Sequence, residues 1–496
     1  MAFIRKVKTA SGATAVQVAY SVYGKIVRIE HIGSAHNPAE LELLNVLAKT
    51  KLTVGQTSLL DSAPVETTIL LKQSVSDVLY DALLEQYRAL GFDQLHDDDF
   101  ASLVIARLVE PTSKLDTVRV LADLGLHLTS EDRLQRCLKR VIANHYRDKL
   151  ATLCFAHAAT QQGGITLVLY DVTTLYFEVQ KEDDDEGANA GYRKPGMSKE
   201  RRLEPQIIVG LLVDQTGFPL ELHSFEGNKA ETKTIVPVVE EFKKRHGLVG
   251  LTVVADAGML SADNLKSLAD AGYTYIVGSR MHKIPYDIAE YQKQQQELRD
   301  NQIITAKTAI EGQRIIYQYR AKRAALDLRN IQKQIDKAEK IVSGKTTAKK
   351  AKFLSVTTKE KVLNQVLIDK AKALAGIKGY VTNLPTTEAS NQQVIAYYHQ
   401  LWRVEQSFRM SKSDLRARPI FHHQKEAIEA HLTVVMAALA IGRTIERKTG
   451  ATPRRVIKRL RTVRSGVVVI DGKEYPAKAA LPEDVDKLLR KLRQTH

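Results

Sequence analysis

Cysteine is almost missing from this 496-residue chain: only Cys137 and Cys154 are present, and neither sits in a CxxC or other metal-ligand spacing. That argues against a disulfide framework and against a cysteine-held zinc site. Long hydrophobic runs are scarce too. None approaches the length that spans a bilayer, and the opening MAFIRKVKTA lacks the apolar core of a signal peptide. The sequence therefore predicts a cytoplasmic protein with no membrane partner. Negative charge is the third shortage, because 57 Asp and Glu face 73 Lys and Arg and leave a net +16 at pH 7. Such an excess favours an anionic polymer as partner. A basic protein also stays soluble by charge alone, so the placement of the cations matters more than their sum.

What is present reads as a globular chain too long for one hydrophobic core, so two to four units are expected. Residues 1–65 alternate as strands (FIRKVKT, ATAVQVAYSVY, KIVRIEHIG) and then turn helical at AELELLNVLAKTK, a small β-hairpin and helix unit. Residues 66–160 carry helical spacing, with Ser130 as an N-cap before Glu131 and Asp132. From 161 to 280 the order is three strands, helix, strand, helix, strand, which suits a mixed sheet with a meander and crossovers. Gly247 closes the first of those helices and Ser261 caps the second. Residues 281–378 interrupt this with long charged helices over EYQKQQQELRDNQ, RAKRAALDLRNIQKQIDKAEKIV and KEKVLNQVLIDKAKALAG, an insertion in which GQRIIYQYRA is a possible strand. KGYVTNLP returns the chain to the sheet, and residues 379–445 hold two further helices, one expected to run unbroken from about 391 to 412. The tail, 446–496, includes the cationic helix TPRRVIKRLRTVR.

Two apolar runs end on an acid. ITLVLYD delivers Asp171 and LTVVADAG delivers Asp256. In open α/β sheets, groups just beyond strand ends converge on one crevice. A third acid, Glu405, lies in YYHQLWRVEQSFRMSKSDLRARP. There Tyr398, Trp402, Glu405, Arg409 and Lys412 fall within about 80° of one helical face at ~100° per residue. Three carboxylates would suit Mg²⁺ or Mn²⁺, which take oxygen ligands and keep positions open for water and phosphate. Two such ions ~4 Å apart assist an in-line phosphoryl displacement. Arg409 and Lys412 would hold phosphates, one and two turns further on. Each feature also has a plainer reading. A strand-end aspartate caps turns, Glu405 and Arg409 make an ordinary i,i+4 pair, Trp402 and Phe408 fill a core, and Thr173 and Thr174 fill a pleat. Only the conjunction points to a site.

That conjunction resembles the DDE transposases of bacterial insertion sequences, of the insertion-sequence-four type. LYDVTTLYFE is similar to the family's first-Asp strand and VVADAGMLS to its second-Asp segment. Tyr398, Glu405 and Lys412 match its Y-x2-R-x3-E-x6-K motif, and FEGNKAETKT resembles the segment after its third strand. Leu401 stands at the motif's Arg position, with Arg403 or Arg409 as substitutes. The resemblance covers about residues 160–445. It implies an α/β fold with a ribonuclease H-like mixed-sheet core, interrupted by a mainly helical insertion and preceded by DNA-binding units. Asp171, Asp256 and Glu405 would be the catalytic metal ligands for two Mg²⁺ or Mn²⁺ ions, supported by Tyr398, Arg409, Lys412 and Thr173. The implied partners are double-stranded DNA, as terminal inverted repeats and as target, and a second copy in a synaptic homodimer. The implied place is the bacterial cytoplasm, at the nucleoid when DNA-bound. Ends would be cut by water, and the freed 3′-hydroxyl would attack target DNA. Arg403, Arg409, Lys412, Arg454, Arg455, Lys458 and Arg459 are the candidate DNA contacts.

Three other readings stay open. DVTTL distantly echoes an Asp-x-Asp-x-Thr phosphatase signature, but Thr173 occupies the second acidic position and removes the general acid. A metal-dependent nuclease without strand transfer shares the same carboxylates. A domesticated DNA-binding protein would keep the fold without the chemistry.

Overall fold

A computed structural model describes residues 2–9, 12–53, 69–127, 129–178, 181–184, 191–196, 203–258, 261–279, 298–308, 310–346, 351–356 and 361–494. Two compact units form, Met1–Cys137 with Thr444–His496, and Leu138–Arg443. In the first, strands β1 (Ala2–Lys8), β2 (Thr14–Val22) and β3 (Lys25–Ala35) make an antiparallel meander, with helix α1 (Pro38–Thr53) laid on one face. Val16, Val18 and Ala35 bury against Leu44 and Ala48, as the alternation in β2 requires. The expected boundary at residue 65 lies outside the described residues. Strand β4 (Ile69–Val75) leads into α2 (Asp77–Ala89), α3 (Asp98–Val109), α4 (Lys114–Asp123) and α5 (Glu131–Ala143). The Asp97 and Ser113 side chains cap α3 and α4, and Ser130 Oγ accepts from the Arg133 amide at 3.3 Å.

The second unit is built on one mixed sheet. After α6 (Tyr146–Gln162) come β5 (Leu167–Tyr176), β6 (Gln206–Val213), β7 (Pro219–Glu226), α7 (Ile235–His246), β8 (Thr252–Ala255), α8 (Ala262–Asp270) and β9 (Thr274–Ser279). That is the order read from the sequence, with Gly247 ending α7 at φ 61° and Ser261 Oγ capping α8. All eight residues of β6 are buried, the mark of a strand covered on both faces. Beyond β9 the chain adds β10 (Ile303–Lys307), β11 (Arg314–Tyr319), α9 (Ala321–Val342), β12 (Leu354–Val356), β13 (Lys361–Leu363), α10 (Gln365–Ala373) and β14 (Ile377–Thr382). The sheet order is β10-β11-β14-β9-β8-β5-β6-β7, parallel at β5–β8 and β8–β9 and antiparallel elsewhere.

Several expectations change. Residues 303–319 are core strands, not part of a helical insertion; the insertion proper is α9, the β12–β13 ribbon and α10, closed over Ile331, Ile335, Ala338, Phe353 and Ile368. The helix expected over EYQKQQQELRDNQ lies mostly outside the described residues.

The helix expected unbroken from 391 to 412 is divided. It forms α11 (Asn391–His399), α12 (Trp402–Arg409) and a π turn at Met410–Asp414. Amides of Gln400, Leu401, Arg403 and Val404 bond three residues back, and Leu415 bonds five back to Met410. The two halves answer to different neighbours: α11 packs on β8, β9 and β14, whereas α12 packs on β5 and β6. Trp402, expected in a core, is 53% exposed, while Phe408 is buried.

Helix α13 (Lys425–Thr449) is long and apolar enough to cross a membrane, but its most apolar stretch is almost wholly buried inside the protein, as in a core helix. The C-terminal segment returns to the first unit through α14 (Pro453–Leu460), β15 (Ser465–Ile470), β16 (Lys473–Ala477) and α15 (Glu483–Arg493), with β15 pairing both β16 and β4. Arg461 and Arg464 fasten it there through Asp123 and Glu110.

Candidate active site

The strand carrying Asp171 does not stop at it. β5 continues through Thr173 and Thr174, pairing Asp171 with Leu211 and Thr173 with Val209 on β6. What ends is the pairing on its other side. Tyr170 opposite Ala255 is the last parallel pair with β8, so Asp171 and Asp256 are the next residues in register on neighbouring strands. Asp171 and Thr173 are half-buried in the pleat and Asp256 is exposed just past its strand.

Asp256 is held from α11. The Tyr398 hydroxyl donates to its Oδ1 at 2.8 Å. Tyr398 is buried, with the Tyr380 ring edge-on at 5.0 Å and the Lys378 Nζ 4.3 Å from its ring centroid. Gly278 on β9 makes room for that hydroxyl, since a Cβ there would lie 2.5 Å from it. Burial, together with the bond to Asp256, pushes the Tyr398 phenol well above its ordinary range. The Lys378 ammonium is pushed down by burial and then by Arg323, while Asp256 and Glu405 pull it back up. Both carboxylates therefore bear on one cation. Glu405 itself is exposed in the first turn of α12.

The remaining candidates divide. Arg403 spends its guanidinium on the β6–β7 turn, donating to the Thr216 carbonyl at 3.3 Å, and Ser407 Oγ donates to Gly217 O at 2.7 Å beside it. Those bonds dock α12 on the β6–β7 turn. Arg409 is exposed, and Lys412 is half-buried in the π turn instead of continuing a straight helical face. On α14, Arg454, Arg455 and Lys458 are exposed, whereas Arg459 forms a two-pronged pair with Asp484 at 2.5 and 2.6 Å. Reasoning from sequence missed Lys378, Gly278 and Tyr380. The signal for Lys378 and Tyr380 was KGYVTNLP, a short apolar strand with a lysine near its start.

The donor chemistry of Asp171 and Asp256 is all oxygen, the type that suits a hard divalent cation. Glu405 is not gathered with them: among the described residues no group of three or more His, Cys, Asp or Glu side chains could hold a metal ion.

Comparison with curated proteins finds no match. Among solved structures, a piggyBac transposase synaptic complex with hairpin DNA aligns over 83% of this chain and 74% of that chain, at 10% identity and a TM-score of 0.40. The family model described as the transposase DDE domain matches residues 162–441, a span that contains Asp171, Asp256 and Glu405. With more than half of its length inside that match, the chain belongs to the transposase DDE domain family.

Proposed function

We propose that the protein cuts the ends of its own insertion sequence and joins the freed 3′-hydroxyls to target DNA. The observation that carries this is the register of β5 and β8, which presents Asp171 and Asp256 side by side, with Tyr398 orienting Asp256. In this reading Asp171 and Asp256 would hold Mg²⁺ or Mn²⁺, with Glu405 as the third carboxylate of the motif. A bound divalent ion supplies positive charge to the attacking and departing oxygens of an in-line displacement. The chain supplies the rest. Asp256 is kept in place by a hydroxyl donor, Thr173 stiffens the strand beside Asp171, and Arg409 and Lys412 offer charge to the phosphates flanking the cut. In the first step water attacks phosphorus and the 3′-oxygen leaves. In the second, that 3′-hydroxyl attacks a target phosphate and the target's own 3′-oxygen leaves, so no protein–DNA bond forms. The N-terminal β-hairpin and helical segments and exposed Arg454, Arg455 and Lys458 are assigned to the terminal inverted repeats, and a homodimer to pairing two ends in the cytoplasm.

The test is cleavage and joining of labelled DNA that carries the element's ends, with Mg²⁺ or Mn²⁺. Asp171→Asn, Asp256→Asn and Glu405→Gln should each abolish nicking and joining by a factor of ~10³ or more while DNA binding survives. Nicking without joining would leave a nuclease. Binding without metal-dependent chemistry in the wild type would overturn the reading.

A further inference from the structure

Among the described residues, Lys378 is a cation close to the acidic centre that no part of the proposed chemistry uses. It is the second residue of β14, beside the strands that carry the site: β14 pairs with β9 through Gly379 opposite Ser279, and β9 pairs with β8. A half-buried strand position is an unfavourable place for an ammonium, since burial works against its charge. It is nonetheless stacked on two rings, 4.3 Å from the Tyr398 centroid and 5.7 Å from that of Tyr380. Tyr398 is the residue whose hydroxyl holds Asp256. The cation is thus fixed to the back of the group that fixes the carboxylate, and it feels the charge of Glu405 as well.

We propose that Lys378 is the built-in counter-charge of Asp256: its ammonium lies on the face of Tyr398, whose hydroxyl holds that carboxylate. This rests on the carboxylate reading above. The lysine offsets the negative charge of Asp256 from behind the Tyr398 ring. An entering divalent cation meets its repulsion, so metal and lysine compete for the same negative field.

Mn²⁺ binding to the full-length, DNA-free protein, read by electron paramagnetic resonance of free Mn²⁺, tests this. Removing a unit positive charge from ~8 Å of a divalent ion in a water-like dielectric tightens ion binding about fivefold. Lys378→Met should therefore bind Mn²⁺ about fivefold more tightly than wild type, and Lys378→Arg should stay near wild type. A lysine with only a structural task predicts the opposite sign, because loosening Tyr398 would scatter the ligands. Equal or weaker binding by a folded Lys378→Met overturns the proposal; should that variant fail to fold, Lys378→Gln carries the same test. Asp256→Asn separates the two readings. Wild-type Mn²⁺ binding that Asp256→Asn does not weaken sinks the carboxylate site itself, whereas binding that it weakens, with no change in Lys378→Met, sinks only the role of Lys378.

Discussion

Gly278→Ala is the sharpest probe of how the site is held together. The glycine lies in β9 with ordinary strand backbone, so an added methyl is penalised only for what it meets. It meets the Tyr398 hydroxyl at 2.5 Å, the Tyr398 Cζ at 3.1 Å and the Ala257 Cβ at 3.2 Å. The hydroxyl is the end of a side chain that cannot swing aside, because the ring is packed against Lys378 and Tyr380. The methyl must therefore displace the tyrosine and break its bond to Asp256. Overpacking of this kind costs about 1–3 kcal/mol. Tyr398→Phe alone gives up one hydrogen bond to a carboxylate that water can reach, about 1 kcal/mol. If both changes act through the hydroxyl, they do not add. Phenylalanine vacates the volume that the methyl needs, so the double variant should be more stable than the sum of the two by about 1–2 kcal/mol. Urea unfolding of wild type, both singles and the double measures this coupling, and Mn²⁺ binding should weaken in Gly278→Ala. Additivity within ~0.5 kcal/mol, or a Gly278→Ala variant as stable as wild type, would refute the reasoning.

Two further expectations concern pH. Asp123 receives Arg464 at 2.8 Å and Arg461 at 2.9 Å; burial pushes its carboxyl up, but the two guanidinium groups outweigh that and hold it below its ordinary value. Its stabilisation is thus present above the unfolded value near pH 4 and lost as pH falls through the folded one. Asp123→Asn should cost about 2–4 kcal/mol at pH 7, shrinking below pH 4 in urea titrations; a penalty constant from pH 7 to 3 would be inconsistent with the pairing. His246 stacks on Phe155 at 3.9 Å, and burial, then Arg245, brings its pKa down to about 4. Because the unfolded chain binds that proton more readily, stability should decline as pH falls from about 6.5 to about 4. His246→Phe should flatten that slope in thermal unfolding, and an unchanged slope would assign the decline to other groups.

Much of the catalytic unit is legible along the chain because its signals are local. Strands β5, β6, β8 and β9 declare themselves by β-branched and aliphatic runs, α7 by its terminal Gly247, and α8 by its Ser261 cap, all properties of neighbours in sequence. Asp171, Asp256 and Glu405 stand out for the same reason, as acids at the ends of apolar runs or inside a spaced motif. Whether they meet was never a local matter. β10 and β11 join the sheet because β14 offers them an edge, and nothing inside RIIYQY says which edge that will be. The helix through Tyr398 and Glu405 divides because its halves pack on different strands, a demand that helical periodicity does not contain. Nothing near Arg403 in sequence says that it will reach the Thr216 carbonyl on the β6–β7 turn. The sequence by itself determined which residues could carry the chemistry, since strand pattern, caps and acid placement act within a few residues. Only the tertiary structure decided which of them face one another, and it set Lys378 behind Tyr398 and Asp256, because that juxtaposition joins segments more than a hundred residues apart.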